Sequence, residues 1–198
     1  MMRWYLIFGV ALLALGAARA AGPAAEPVTS KAVVKEGLEL VVSLPKGTVG
    51  AGEELKFAAG FKNVSQNAFS LYNVDWYWAW KVHLEKVGDK GPGWELRERN
   101  IGMRTPVATT HEIKAGENYR VEVAIDPAKK FFEYRWLGPV EKTLPVLWEL
   151  KPGKYRMTVE VTLEEGRERD GAAGPFWKGT VKSEAVELEV GGKGSKPE

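Results

Sequence analysis

The chain predicts an all-β fold, an antiparallel β-sandwich, within its 198 residues. Five separate runs alternate apolar and polar residues with period two, the pattern of strands with one face in a core and the other in water. A small residue or Pro followed by Gly precedes three of these runs, at Ala51-Gly52, Ala115-Gly116 and Pro152-Gly153, and glycine supplies the backbone freedom a tight turn needs. No long stretch carries helical periodicity. The apolar fraction of 44% and charged fraction of 27% are those of a soluble globular protein. They argue against both wholesale disorder and a multi-span membrane protein.

In chain order, Met1-Met2-Arg3 is a short basic start, Trp4 to Ala18 is an uncharged run of 15 residues, and Ala18-Arg19-Ala20 fits a small-x-small cleavage site. This is the layout of a secretory signal peptide over 1–20. The run is short of the roughly 20 apolar residues of a spanning helix, so no membrane span is expected after cleavage. Removal of Arg3 and Arg19 brings Lys plus Arg from 28 to 26 against 26 Asp plus Glu. The mature chain is then neutral and carries no overall electrostatic footprint for nucleic acid. Export to the periplasm or the medium follows as the expectation.

Residues 21–35, rich in Ala, Pro, Ser and Thr, read as a flexible leader, and 191–198 as a disordered tail. Between them lies one domain over 36–190. Leu38, Leu40, Val42 and Leu44 share a face, as do Leu55, Phe57, Ala59 and Phe61. Next, Trp76, Trp78, Trp80, Val82 and Leu84 alternate with Asp75, Tyr77, Ala79, Lys81 and His83, which reads as one long strand. A face that continues into Val and Leu is a core face, so Trp76, Trp78 and Trp80 are expected as structural core residues, with Tyr77 and His83 on the outer face. Tyr119, Val121, Val123 and Ile125 form a further face. Tyr155, Met157, Val159, Val161 and Leu163 give the cleanest run, and Val186, Leu188 and Val190 the last.

The connection over 127–149 is long for a sandwich, where loops usually have roughly 4–6 residues. It is crowded with Phe131, Phe132, Tyr134, Trp136, Leu137 and Trp148. Lid, extra strand, short helix over Ala128 to Trp136 and binding loop all remain open for it.

Leu150-Lys151-Pro152-Gly153-Lys154-Tyr155 resembles the tyrosine corner of immunoglobulin-like sandwiches, in which the Tyr hydroxyl bonds back to upstream backbone. The resemblance implies that structural role for Tyr155. It also implies a core Trp on the third strand, supplied by Trp76, Trp78 or Trp80. The antibody cysteine pair is absent, so the likeness is to the broad class of exported bacterial immunoglobulin-like modules. Phe61 to Asn67, the strand to Glu85, and Ile113 to Glu117 carry a weaker likeness to the bacterial intracellular proteinase inhibitor family. That likeness implies an exposed inhibitory loop, for which Arg99 to Pro106 is the candidate.

Chemistry is thinly supplied. With no cysteine, two histidines and four aspartates, disulfides, thiol catalysis and thiolate metal sites are excluded. His111-Glu112 opens like a zinc-protease helix, but Ala115 stands where the second His belongs, so no metal is expected. Gly50-Ala51-Gly52 is followed by a strand, not the helix a dinucleotide site needs, and none of the six serines lies in a nucleophile elbow. Glu53-Glu54 and Glu164-Glu165 read as solvated turn charges. Asn63-Val64-Ser65 is a formal glycosylation sequon. No catalytic residue and no cofactor is assigned.

The expected role is a non-catalytic binding or accessory module of the cell envelope or medium, with a protein or a glycan as partner. The candidate ligand-binding residues are Trp94, Phe131, Trp136, Trp148, Tyr77 and His83. Loop aromatics stacking on sugar rings make a carbohydrate-binding module the first alternative, and an inhibitor-like sandwich the second.

Overall fold

The computed structural model describes residues 26–50, 53–75, 79–90, 93–98, 108–125, 132–136, 143–144, 151–166 and 175–192, with the backbone alone at 96–98, 132–136 and 143–144. The described residues are all-β, with antiparallel pairing except at the short parallel contact of two strands and an isolated parallel bridge between Ser70 and Phe176.

The first sheet is built from β1 (Val28–Thr29), β2 (Val33–Lys35), β3 (Leu38–Leu44), β5 (Leu55–Asn63) and β10 (Asn118–Ile125). Its order is β1-β3-β5-β10, with β2 also on β3. The second contains β4 (Thr48–Val49), β7 (Trp80–Lys86), β8 (Trp94–Glu98), β11 (Phe132–Trp136), β12 (Thr143–Leu144), β13 (Gly153–Leu163), β14 (Gly179–Lys182) and β15 (Val186–Val190). Its order is β12-β11-β8-β7-β13-β15-β4, with β14 on β13 and β4 parallel to β15. A small third sheet pairs β6 (Phe69–Tyr72) with β9 (Thr110–Ile113). No described helix is long and apolar enough to cross a membrane.

Alternation decides the core. Strand β3 is buried at every second residue, and β13 and β15 repeat the pattern. These apolar faces join those of β5, β7 and β10 in one hydrophobic cluster. Each fully buried Leu, Val or Phe contributes roughly 1.5–3 kcal/mol, so this shared interior holds the sheets together in a chain without cysteine. Trp80 is the joint. Its ring meets Phe57 and Phe61 of β5 edge-on, at centroid distances of 6.2 and 5.8 Å. Its indole N–H donates to the Val74 carbonyl at 2.8 Å, so the buried polar atom is satisfied.

Two expectations change. Part of the segment read as a flexible leader is paired: Val28 lies opposite Leu44 and Val33 opposite Leu40. Ser30 bridges the two short strands, its N–H donating to the Val42 carbonyl at 2.8 Å and its hydroxyl accepting from the Val42 N–H at 3.0 Å. Val28 and the adjacent pair Val33-Val34 make no alternating run to read, and here a side chain completes the ladder.

The long strand expected through Asp75 and His83 is not continuous. Asn73 has φ 53° and exchanges two bonds with Thr109: its N–H donates to the Thr109 carbonyl at 2.9 Å, and its side-chain oxygen accepts from the Thr109 N–H at 2.9 Å. The chain turns there, and β7 starts at Trp80 in another sheet. Asp75 therefore does not share a strand with His83. Trp76, Tyr77 and Trp78 lie outside the described residues, as do Arg99 to Pro106.

Two glycines are required by geometry. Gly116 has φ 79° in the turn between β9 and β10. Gly93 has the same angle, and a Cβ there would stand 2.7 Å from the Leu84 carbonyl oxygen.

Candidate functional site

Three polar side chains from separate elements converge where the small sheet meets β10. The turn fixed by Asn73 delivers Asp75, β9 delivers His111, and β10 delivers Tyr119. His111 Nε2 lies 2.5 Å from Asp75 Oδ2, which calls for the imidazole proton on that nitrogen. The Tyr119 hydroxyl donates to Asp75 Oδ1 at 2.7 Å and lies 3.0 Å from His111 Nε2. The imidazole and phenol rings stack, 4.3 Å apart and 26° from parallel. Each carboxylate oxygen thus holds one donor, and Asp75 and His111 are each about one-third exposed or less. Burial, and then the Asp75 carboxylate, hold the Tyr119 phenol well above its ordinary pKa, because an anionic phenolate would be both desolvated and repelled.

The geometry ties a turn, a small sheet and the end of a large sheet together. A His–Asp pair is also the orienting half of a nucleophilic site, but a third group within reach of the imidazole is then needed, and here that group is a phenol kept protonated.

The expected ligand residues distribute differently. Trp94 is half-buried and packs against the core, and Leu84, its cross-strand partner, is fully buried. It is not a free-standing platform. Trp136 lies directly across from Trp94 in the β8–β11 ladder. Strands β11 and β12 add to the edge of the second sheet, so the strand alternative holds for part of 127–149, and Phe132-Glu133-Tyr134-Arg135-Trp136 is an alternating run rather than a helix. Phe131, Trp148 and Tyr77 lie outside the described residues.

His83 faces away from the core, opposite Glu95 on β8 and Thr158 on β13. Its Nδ1 is 3.7 Å from the Glu95 carboxylate, and its Nε2 is covered and makes no hydrogen bond among the described residues. A covered nitrogen is not presented to a ligand. Burial lowers the His83 pKa, outweighing the pull of Glu95.

Tyr155 sits near the start of β13. It is buried, and its hydroxyl donates to the Lys151 carbonyl at 2.7 Å. Glu53 caps its own turn by accepting from the Gly50 N–H and Lys46, both at 2.9 Å. Asn63 of the sequon is fully buried. Its amide donates to the Asn67 and Ile113 carbonyls, and its oxygen accepts from the N–H and hydroxyl of Ser65, so in the folded chain it is a structural residue and not an accessible acceptor. No cluster of three or more His, Asp or Glu side chains able to hold a metal ion occurs among the described residues.

A shallow groove of about 380 Å³ runs along β5 and β10, with Glu54, Lys56, Arg120 and Glu122 in its walls. Its charges are of both signs and build no single-sign ligand site.

No family model matches the chain, and no curated protein matches it. Among solved structures, a β-glucosidase from Listeria innocua is similar at 18% identity and a TM-score of 0.39, over 78% of this chain and 16% of that one. The β-glucosidase EmGH1 from Erythrobacter marinus is similar at 13% identity and a TM-score of 0.35, over 75% of this chain and 14% of that one. The chain spans about one-sixth of the length of these enzymes or less, and likeness at this level carries neither fold nor activity across.

Proposed function

We propose that the chain is an exported, non-catalytic binding or accessory module of the cell envelope or medium, built on an immunoglobulin-like sandwich. Strand order supports the sandwich class. The series β3-β5-β10 follows the A-B-E order of one sheet of that fold, and β7-β13-β15 follows the C-F-G order of the other. Trp80 then falls on strand C and Tyr155 near the start of strand F, where that fold carries its core Trp and its tyrosine corner.

One observation carries the non-catalytic reading: His111 and Tyr119 both converge on Asp75, with one donor at each of its carboxylate oxygens. Such a set is suited to bracing a turn. The braced turn lies two residues before Tyr77, one of the expected ligand-binding residues. A glycan is the alternative partner to a protein.

The test is a titration of the purified chain, followed by tryptophan fluorescence, with isolated envelope polysaccharide and with envelope protein fractions. Saturable binding without release of product supports the reading. Turnover of the bound material overturns it.

A further inference from the structure

We propose that two copies of this chain pair edge to edge through β10, antiparallel about a two-fold axis at Val121. This inference rests on the strand itself and does not depend on the binding-module reading.

Strand β10 ends the first sheet. Strand β5 occupies one side of it over the whole length from Asn118 to Ile125, and no described strand pairs with the other side. An exposed strand edge presents a row of N–H and C=O groups ready to pair with another chain. A two-fold interface is isologous, so each residue i faces a residue j and each j faces an i.

Side-chain charge chooses among the registers. Centred on Val121, self-pairing sets Arg120 of each copy opposite Glu122 of the other, which makes two opposite-charge pairs. Centred on Arg120 it sets two arginines face to face, and centred on Glu122 it sets two glutamates face to face. Like charges directly opposite each other destabilise a pairing, and opposite charges stabilise it. Within the chain neither residue has a charged neighbour directly across the ladder, because Arg120 faces Gly60 and Glu122 faces Ala58. Among the described residues they form an ion pair with each other, at 3.5 Å, and the side chains are 64% and 80% exposed.

The inner face fits the same register. Val121 is buried, while Tyr119 and Val123 are only partly buried against the core. Centring on Val121 places Tyr119 across from Val123 of the second copy, so each would cover apolar surface that the other leaves open. Seven residues on each copy, Asn118 to Ala124, take part in the pairing.

The experiment is sedimentation equilibrium of the wild-type chain across a dilution series into the high micromolar range, beside Arg120→Glu and the exchange Arg120→Glu/Glu122→Arg. Both positions are exposed, and circular dichroism checks that each variant folds. The proposal expects a reversible wild-type dimer and about tenfold or more weaker association in Arg120→Glu, where both cross-strand pairs become repulsive. It also expects recovery of the dimer in the exchange variant. A wild-type chain that stays monomeric throughout overturns it. So does a dimer indifferent to Arg120→Glu, or an exchange variant that fails to recover.

Discussion

The hydroxyl of Tyr119 donates a 2.7 Å hydrogen bond to Asp75, a residue 44 positions earlier in the chain. Through this bond the large sheet holds the turn that follows β6. Asp75→Ala removes the acceptor for both Tyr119 and His111, and the loss is expected to be about 1–2 kcal/mol, since bonds to a charged group exceed neutral ones but this group is partly exposed. Tyr119→Phe, which removes one of the two donors, is expected to cost about 1 kcal/mol. Urea unfolding of the three proteins measures both differences.

The same phenol predicts a loss of stability in alkali. Its pKa is raised in the folded chain, by burial first and Asp75 second. The unfolded phenol ionises near pH 10. Its contribution is complete below about pH 10 and declines as pH rises from there toward the higher folded value. The unfolding free energy of the wild type therefore falls above about pH 10, and in Tyr119→Phe that component of the fall is absent.

His83 predicts the opposite slope in acid. Burial lowers its pKa below the ordinary histidine value, against the opposing pull of Glu95. The unfolded imidazole takes a proton near pH 6.5 while the folded one resists. Stability associated with His83 is present above about pH 6.5 and is lost as pH falls toward the lower folded value. An NMR titration of the imidazole is expected to show a midpoint below that of His in an unfolded peptide, and His83→Gln is expected to flatten the acid limb of the stability curve.

Asn63 predicts a large effect from a small change. Four hydrogen bonds meet at its side chain, two of them donated to the carbonyls of Asn67 and Ile113. Asn63→Ala leaves the buried Ile113 bond unmade, and with several partners lost the cost is expected at roughly 3 kcal/mol, at the upper end for unsatisfied buried groups. Thermal unfolding by calorimetry reads it as a clear fall in Tm. Asn63→Asp, which keeps the acceptor and loses the two donors, is expected to be destabilised as well.

Regular alternation made much of the sheet framework legible. The runs at Leu38–Leu44 and Val186–Val190 match β3 and β15 in both bounds, and those at Tyr119 and Tyr155 match β10 and β13 to within one residue. In each, hydrophobic burial acts on every second residue, so the pattern is written locally. What was not legible depends on distant partners. The pairing of Val28 and Val33 is completed by the backbone of β3 and the hydroxyl of Ser30. The break before Trp80 is set by Asn73 and its bonds to Thr109, which overrode an alternation that read as unbroken. The Asp75–His111–Tyr119 set had no sequence signal beyond an isolated His and an Asp inside an aromatic run. Its members come from a turn and two strands whose proximity only the folded topology creates.

The most direct test of the account is a turnover assay of the wild-type chain and His111→Ala, side by side, on aryl glycosides, aryl esters and peptide substrates. The account predicts no turnover by either protein, because the Asp75–His111–Tyr119 set braces a turn. Turnover by the wild type that disappears in His111→Ala, with the fold intact by circular dichroism, would contradict it and make the same three residues an active site.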